Sequence, residues 1–141
     1  MGEIAREKAR FAYEHLQVPL IADDTGFSIA TLGGFPGPYA AYVLDTIGIE
    51  GILRLMEGKE DKSGYFETAI ALADASGIRV FRGRIDGRIV DPRGEGGFGY
   101  DPIFEVGERT LAELPIGEKA MISHRGRALA ALKGWLEEGR C

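Results

Sequence analysis

The feature that most constrains this sequence is a glycine-rich stretch at residues 96–102, which reads Gly-Gly-Phe-Gly-Tyr-Asp-Pro. Three glycines within four residues free the backbone of side chains and allow positive φ angles. Because Asp101 precedes a proline, it is expected to be extended rather than helical. Such a loop can bring backbone N–H groups and one aromatic face close to a flat ligand. A tight turn that carries a core aromatic residue is the alternative interpretation.

The length and composition predict one domain over residues 1–141. The only cysteine is the last residue, Cys141, so a disulfide framework and a cysteine-based metal site within one chain are excluded. The sequence has no apolar run as long as a membrane span, and its N-terminus has no signal-peptide pattern. We therefore expect a cytoplasmic protein without a membrane partner.

The net charge of −5 argues against a nucleic-acid partner, because proteins that coat nucleic acid are normally basic. A small anionic substrate remains compatible with this charge. It requires positive groups that are concentrated locally, or a recruited cation.

Hydrophobic spacing predicts helices over residues 3–17, 39–46, 49–56 and 124–138. In the first helix, the predicted buried stripe consists of Ala5, Ala9, Ala12 and Leu16. Short apolar or alternating runs predict strands at residues 19–22, 27–30, 65–73, 78–85, 88–90 and 103–105. Asp86-Gly87 is a hairpin turn signal between two of these strands, so the middle of the chain is predicted to be an antiparallel meander.

Asp23 and Asp24 follow the predicted strand 19–22, and ligands commonly bind at strand ends in open α/β sheets. Because side chains alternate along an extended segment, the two carboxylates should point in different directions. One of them can then bind a metal or act as a base while the other anchors the loop. Mg²⁺ suits such a site, since it prefers one or two carboxylates together with substrate phosphates. An Asx turn is the structural alternative.

Lys119, His124 and Arg125 place three potential cations within seven residues, next to the last helix. Ser123 is a suitable N-cap for that helix, and a helix N-terminus favours anions. The pattern predicts a site for an anion or an oxo group, with a solvated basic patch as the alternative. Lys8, at the edge of the apolar stripe of the first helix, either extends into water or points into a cleft.

Four motifs in order resemble the inosine triphosphate pyrophosphatase family. They are Ala-Asp-Asp-Thr-Gly at 22–26, Leu-Gly-Gly-Phe-Pro-Gly-Pro-Tyr at 32–39, Gly-Gly-Phe-Gly-Tyr-Asp-Pro-Ile-Phe at 96–104, and Glu-Lys at 118–119 followed by Ser-His-Arg-Gly-Arg-Ala-Leu at 123–129. Members of this family hydrolyse inosine, deoxyinosine and xanthosine triphosphates to the monophosphate and pyrophosphate. The resemblance implies an α/β fold in which helices flank a long mixed sheet and a cleft lies between two lobes. It also implies a homodimer.

The resemblance gives a role to each matching residue. Asp24 would accept the proton from water, and Asp24 and Asp23 would bind Mg²⁺. Phe98 would stack on the purine base. The residues that would contact the nucleotide are Lys8, Thr25, Phe98, Gly99, Tyr100, Asp101, Lys119, His124 and Arg125.

The chemistry of Arg125 agrees with this implied substrate. A guanidinium offers only donors, which suits the 6-oxo acceptor of hypoxanthine or xanthine. Adenine has an amine at that position, so two donors would face each other. Guanine also has a 6-oxo group, and its exclusion must depend on the 2-position.

The sequence departs from the family at its start. By the resemblance, the sequence is expected to begin inside the helix that follows the family's first strand, its phosphate-binding loop and a metal-binding glutamate, and so to lack these three features. A missing strand is expected to leave an unpaired sheet edge. The alternative function is a purine-nucleotide-binding protein with little or no turnover, and a third possibility is a fragment that another chain completes.

Overall fold

The described residues are 1–138 of a computed structural model, apart from the side chains of Ala120 and Met121, and Cys141 lies outside them. They form five α-helices, which are α1 (Gly2–Leu16), α2 (Ala40–Thr46), α3 (Gly48–Leu55), α4 (Ile116–Ile122) and α5 (His124–Glu138). They also form six strands, which are β1 (Leu20–Ile29), β2 (Pro36–Gly37), β3 (Ser63–Asp74), β4 (Gly77–Ile89), β5 (Phe104–Val106) and β6 (Arg109–Thr110).

The six strands belong to one sheet in the order β2-β1-β3-β4-β5-β6. The pairs β1–β2, β4–β5 and β5–β6 are antiparallel. β1 and β3 also run in opposite directions, because Thr25 lies beside Thr68 while the more distal Ser28 lies beside the earlier Gly64. A two-residue connection joins β3 to β4, which only an antiparallel pair permits. The sheet is therefore antiparallel, whereas the sequence predicted a mixed one.

The described chain divides into two compact units, each assembled from segments that are distant in the sequence. Unit 1 contains Met1–Thr25, Glu67–Arg84 and the described residues from Ile122 onward. Unit 2 contains Gly26–Phe66 and Ile85–Met121. A single domain over residues 1–141 and a cleft between two lobes stay predictions.

Two helices of unit 1 cover opposite faces of β3. One face is a contact between fully buried alanines of α1 and β3, namely Ala5, Ala9, Ala69, Ala71 and Ala73. Ile70 points to the other face, because side chains alternate along a strand, and packs against Ala128 and Leu132 of α5. The predicted α/β class, with helices flanking a long sheet, is confirmed.

Aromatic rings form the core of unit 2. Phe27 of β1 stacks on Phe66 of β3 with 4.3 Å between the ring centroids, and Phe104 of β5 meets Phe66 edge-on at 4.8 Å. The Tyr100 ring lies 4.8 Å from that of Phe27, and its hydroxyl donates to the Ala40 carbonyl oxygen at 2.7 Å. This cluster ties the glycine-rich loop to the sheet and to the start of α2.

The four predicted helices are confirmed to within one residue at each end. Ser123 caps α5 as predicted, since its Oγ accepts a hydrogen bond from the Gly126 amide at 3.0 Å. The predicted stripe of α1 is wrong at its end, because Leu16 is 62% exposed. The short helix α4 was not predicted. The expectation that Asp101 is extended is wrong, because Asp101–Ile103 form a 3₁₀ turn in which Pro102 occupies an early position that needs no backbone N–H. Among the described residues, no helix combines the length and the apolar character needed to cross a membrane.

Two interpretations of strand boundaries are wrong, because β1 continues through Asp23 and β4 continues through Asp86-Gly87. A Cβ on Gly87 would overlap the Glu105 carbonyl oxygen of β5, so this glycine permits a close approach of strands and forms no turn. The hairpin is instead at residues 75–76, where the Asp74 carboxylate accepts hydrogen bonds from Ser76.

Gly83 of β4 lies where the start of α5 crosses the strand, and a Cβ there would overlap the His124 carbonyl oxygen and the Ala128 amide nitrogen. Gly83→Ala is therefore expected to displace the first turn of α5 and to lower the free energy of unfolding by about 1–3 kcal/mol. The matched control is Gly134→Ala in the same helix, where the added Cβ meets no atom within 4 Å. This control should raise the free energy of unfolding by up to about 1 kcal/mol. Urea denaturation measures both, and equal stabilities would contradict the close approach.

Candidate functional site

Polar side chains of unit 1 surround the middle of β1, and we call them the acidic group. Its members are Lys8 of α1, Asp23, Asp24 and Thr25 of β1, and Arg125 of α5. All five were predicted as site residues from the sequence. The structure therefore brings the predicted acidic pair together with two of the predicted cations.

The two aspartates point to opposite faces of β1, as the alternation of side chains predicts. On the α5 side, the Asp23 carboxylate accepts a hydrogen bond from Arg125 Nη1 at 2.8 Å. Arg125 Nη2 donates to Thr25 Oγ1, on the same side, at 3.2 Å. Asp23 and Arg125 are both about half-exposed, so their ion pair contributes at most about 1 kcal/mol to stability. Its main effect is to orient the guanidinium.

The Asp24 carboxyl has an oxygen that lacks a partner. Its Oδ2 is buried and accepts no hydrogen bond within the described part of the chain. Burial raises the pKa of Asp24 above the usual value, the positive charge of Lys8 opposes this shift, and the negative charge of Asp23 adds to it. A desolvated, unsatisfied carboxylate opposes folding, yet it is available to bind a cation or to accept a proton.

Lys8 reaches β1 from α1. Its Nζ donates to the Asp23 carbonyl oxygen at 2.6 Å, so the ammonium is held over the strand instead of extending into water. The side chain remains accessible, because Lys8 is an exposed residue of α1. The positive charge is thus fixed beside the acidic pair and can still meet an anionic ligand.

A second set of predicted residues, which we call the loop group, lies in unit 2 and comprises Phe98, Gly99, Tyr100, Asp101 and Lys119. The buried Asp101 carboxylate accepts hydrogen bonds from the Phe98 amide at 3.0 Å and from the Lys119 ammonium. Lys119 Nζ also lies 4.3 Å from the centroid of the Phe98 ring. One carboxylate therefore holds the loop backbone and the lysine that covers the ring.

Phe98 and Tyr100 differ sharply in exposure. Phe98 is 80% exposed, so its ring is open to stack on a ligand. Tyr100 is 5% exposed, and burial is the main cause that raises the pKa of its hydroxyl to about 12. The Tyr100 ring belongs to the aromatic core that supports the loop. Gly99 adopts a φ of 62°, a conformation that glycine takes without strain.

The three cations predicted as one cluster belong to different units. Lys119 lies in α4 of unit 2, whereas His124 and Arg125 begin α5 in unit 1. His124 is half-buried, and its carbonyl oxygen lies against Gly83. The sequence treated these residues as one patch because α4, a helix of seven residues, has too few turns to show a periodic apolar pattern.

Sequence reasoning missed Thr68. This residue of β3 is fully buried, and its Oγ1 lies 2.9 Å from Thr25 Oγ1. The signal that could have identified it is a threonine next to the alanine-rich part of a strand predicted to be buried. Buried hydroxyls need hydrogen-bond partners, and the nearby Asp-Asp-Thr motif offered one.

A hard cation fits only part of the acidic group. Within residues 1–138, no three histidine, cysteine, aspartate or glutamate side chains with described positions form a metal-binding cluster. The unpartnered Oδ2 of Asp24 suits Mg²⁺, which prefers carboxylate oxygens. The Asp23 carboxylate is engaged by Arg125 on the other face of β1. Within the described part of this group, Asp24 Oδ2 is thus the buried carboxylate oxygen that remains available to a cation.

Comparison with known proteins identifies relatives along nearly the whole chain. The model of the Ham1 family matches residues 1–135. The dITP/XTP pyrophosphatase of Hyperthermus butylicus is 47% identical over 141 residues, which cover 98% of this chain and 74% of that protein. The inosine triphosphate pyrophosphatase of Ajellomyces capsulatus is 43% identical over 138 residues, which cover 96% of this chain and 75% of that protein.

Solved structures agree with these sequence relatives. The Ham1 protein of Staphylococcus aureus matches with a TM-score of 0.92 at 36% identity, over 99% of this chain and 77% of that one. A HAM1 protein from Coxiella burnetii matches with a TM-score of 0.90 at 39% identity, over 97% of this chain and 76% of that one. The family resemblance inferred from the four motifs is confirmed.

Asp24→Asn is expected to raise thermal stability at neutral pH. Because the folded state raises the pKa of Asp24, ionisation of this carboxyl favours unfolding. The gain should be absent below the ordinary pKa of aspartate, where both states are protonated. It should grow as the pH rises through the raised pKa of the folded state, and then stay constant. Melting temperatures from about pH 3 to about pH 8 measure this, and a variant less stable than the parent at neutral pH would contradict it.

Lys119→Met is expected to lower the free energy of unfolding by about 3–5 kcal/mol, since it leaves the Asp101 carboxylate buried without its counter-charge. The double variant Lys119→Met/Asp101→Asn should recover part of this loss. Lys133→Met is the control, because Lys133 is largely exposed and its removal should change stability by less than about 0.5 kcal/mol. Chemical denaturation compares the three, and a Lys119→Met variant as stable as the control would rule out the expected role of the pair.

Proposed function

Because this chain belongs to the Ham1 family, we propose that it hydrolyses the triphosphates of non-canonical purines to the nucleoside monophosphate and pyrophosphate. The names of its relatives support dITP, XTP and ITP as the substrates. This reaction would remove such nucleotides from the pool that polymerases use.

The observation that carries the proposed mechanism is the Asp24 carboxyl, with a buried unpartnered oxygen and a raised pKa. A raised pKa makes a carboxylate a stronger base, so Asp24 takes a proton from the attacking water. The water oxygen bonds to the α-phosphorus, the bond from that phosphorus to the bridging oxygen breaks, and pyrophosphate leaves. Lys8, held over β1, offsets the negative charge of the phosphates.

Mg²⁺ is the proposed cofactor, and Asp24 is the residue that would hold it. When bound, the ion would neutralise and polarise the phosphate oxygens. Asp23 is the proposed second ligand, although its Oδ2 accepts a hydrogen bond from Arg125 on the opposite face of β1. The contacts of Asp23 support a different contribution. Its carboxylate orients Arg125, and its backbone carbonyl orients Lys8.

The proposed base contacts come from Phe98 and Arg125. The exposed Phe98 ring offers a face for the purine. Arg125 keeps N–H donors beyond those given to Asp23 and Thr25, and they suit a 6-oxo acceptor. The remaining contacts with the nucleotide are proposed for Gly99, Tyr100, Asp101, Lys119 and His124, in agreement with the family motifs.

A homodimer is the proposed assembly. An apolar groove of about 330 Å³ is lined by residues at the start of α2 and along it: Phe35, Tyr39, Tyr42, Val43, Thr46 and Ile47. Exposed aromatic side chains are enriched at protein interfaces, which supports a second copy of this chain as the partner. The charge of −5 disfavours nucleic acid, and the proposed location is the cytoplasm, where nucleotides are used.

Pyrophosphate release from ITP, XTP, GTP and ATP in the presence of Mg²⁺ tests the function. ITP and XTP are expected to react at least about 100-fold faster than ATP, because only a 6-oxo group accepts a hydrogen bond from Arg125. Binding of ITP without release would support the nucleotide-binding alternative. Negligible release from all four nucleotides would contradict the proposed reaction.

The same assay tests the proton acceptor. Asp24→Asn should lower kcat by about 10²- to 10⁴-fold, because the amide cannot take a proton from water, while binding of inosine monophosphate persists. Asp91→Asn removes one charge at an exposed position and should retain the parental rate. Equal rates for Asp24→Asn and the parent would place the base elsewhere.

A further inference from the structure

We propose that Thr68 is a positioning residue that makes the Thr25 hydroxyl a hydrogen-bond donor to an acceptor oxygen of the nucleotide. The inference rests on the proposed function, since it gives a direction to one contact of the same site. Thr68 itself is buried in β3 and contacts Thr25, so it would act on the nucleotide only through that residue.

The geometry places one oxygen between two neighbours. Thr25 Oγ1 lies 2.9 Å from Thr68 Oγ1 and 3.2 Å from Arg125 Nη2. The guanidinium can only donate, so Thr25 Oγ1 accepts from Arg125. The contact between the two threonines has either hydroxyl as the donor, and burial decides between them.

Thr68 is 0% exposed, and Thr25 is only half-buried. Among side chains that the structure describes, Thr25 Oγ1 is the hydrogen-bond partner of the Thr68 hydroxyl. If Thr25 donated, the Thr68 proton would be buried without an acceptor among the described residues, which would oppose folding. If Thr68 donates, its proton is satisfied. The second arrangement is therefore the stable one.

With Thr68 and Arg125 both donating, the two lone pairs of Thr25 Oγ1 are occupied. Its own proton must point away from both donors, and because Thr25 is only half-buried, this proton can be donated to a ligand. A ligand amine facing the Thr25 hydroxyl proton would place two donors against each other. A ligand oxygen at the same position would accept a hydrogen bond from Thr25. The ligand atom beside Thr25 is thus a carbonyl or phosphate oxygen.

Thr68→Val tests the inference, because valine keeps the shape of threonine and removes the hydroxyl. The Thr25 hydroxyl loses the neighbour that fixes its rotation, so KM for ITP should rise about three- to tenfold while kcat changes less than about twofold. Thr68→Ser restores the hydroxyl and should restore KM. Melting temperatures identify a variant that fails to fold, and Thr68→Ala then replaces Thr68→Val.

A double-variant cycle separates positioning from packing. In a Thr25→Val background, Thr68→Val should have no further effect on KM, because Thr68 acts through the Thr25 hydroxyl. An unchanged KM in Thr68→Val, equal impairment of Thr68→Val and Thr68→Ser, or additive effects of the two changes would each overturn the inference.

Equilibrium binding of ITP, measured beside turnover, distinguishes this inference from the proposed function. Turnover by the parent with no effect of Thr68→Val would refute the inference and leave the function intact. Binding without turnover would refute the proposed function. The ratio of the dissociation constants of Thr68→Val and the parent for ITP would still test the role of Thr68. Failure of the parent to bind ITP would refute both.

Comparison of ITP with ATP identifies which ligand oxygen accepts the hydrogen bond from Thr25. If it is the 6-oxo group, Thr68→Val reduces the preference for ITP over ATP. If it is a phosphate oxygen, affinity falls equally for both nucleotides. Either pattern supports the donor role of Thr25.

Discussion

Two adjacent carboxylates within a continuous strand are the constraint on which the acidic group depends. A β-strand sends neighbouring side chains to opposite faces, so Asp23 and Asp24 need separate compensation. Arg125, from α5, compensates Asp23 on one face. Lys8, from α1, donates to the strand backbone and opposes the pKa shift of Asp24. The two helices that cover β3 thus also deliver the two cations that allow a charged strand.

The two aspartates are not compensated equally, and the difference bears on their chemistry. Asp23 is paired with Arg125 through its Oδ2, while Asp24 keeps a buried oxygen without a partner in the described part of the chain. A protein selected for stability alone would replace such a group, since an unsatisfied buried carboxylate opposes folding. Its presence in a chain of the Ham1 family is explained if the site binds its missing partners, a cation and water, only together with substrate.

The sequence predicted the helices well because their caps and apolar periods are local signals, as Ser123 and Ala128 illustrate. The sequence-based prediction failed where the same residue type is compatible with two different local structures. Asp-Gly at 86–87 matches a turn, but the glycine is needed because β5 passes too close for a side chain. Asp23 matches a strand end, but a cation from residue 125 makes it tolerable within the strand. Such long-range compensation leaves no periodic pattern.

The candidate site divides in the same way. Phe98, Asp101 and Asp24 could be predicted from motifs, whereas Thr68 could not, because its role depends on a neighbour 43 positions away. The helix that carries Lys119, α4, could not be predicted either, because seven residues are too few for a periodic apolar pattern to be visible.

The close approach of Gly83 to the first turn of α5 determines how far the position of Arg125 depends on the rest of that helix. The first turn of α5 rests on strand backbone, whereas its far end is held by side chains such as Trp135, whose ring meets Phe81 and Arg79. Side-chain contacts can rearrange when side chains change rotamer, whereas a contact between two backbone segments cannot adjust in this way. Loosening of the C-terminal turns would therefore leave Arg125 paired with Asp23, so substitutions in that half of the helix should not disturb this pair.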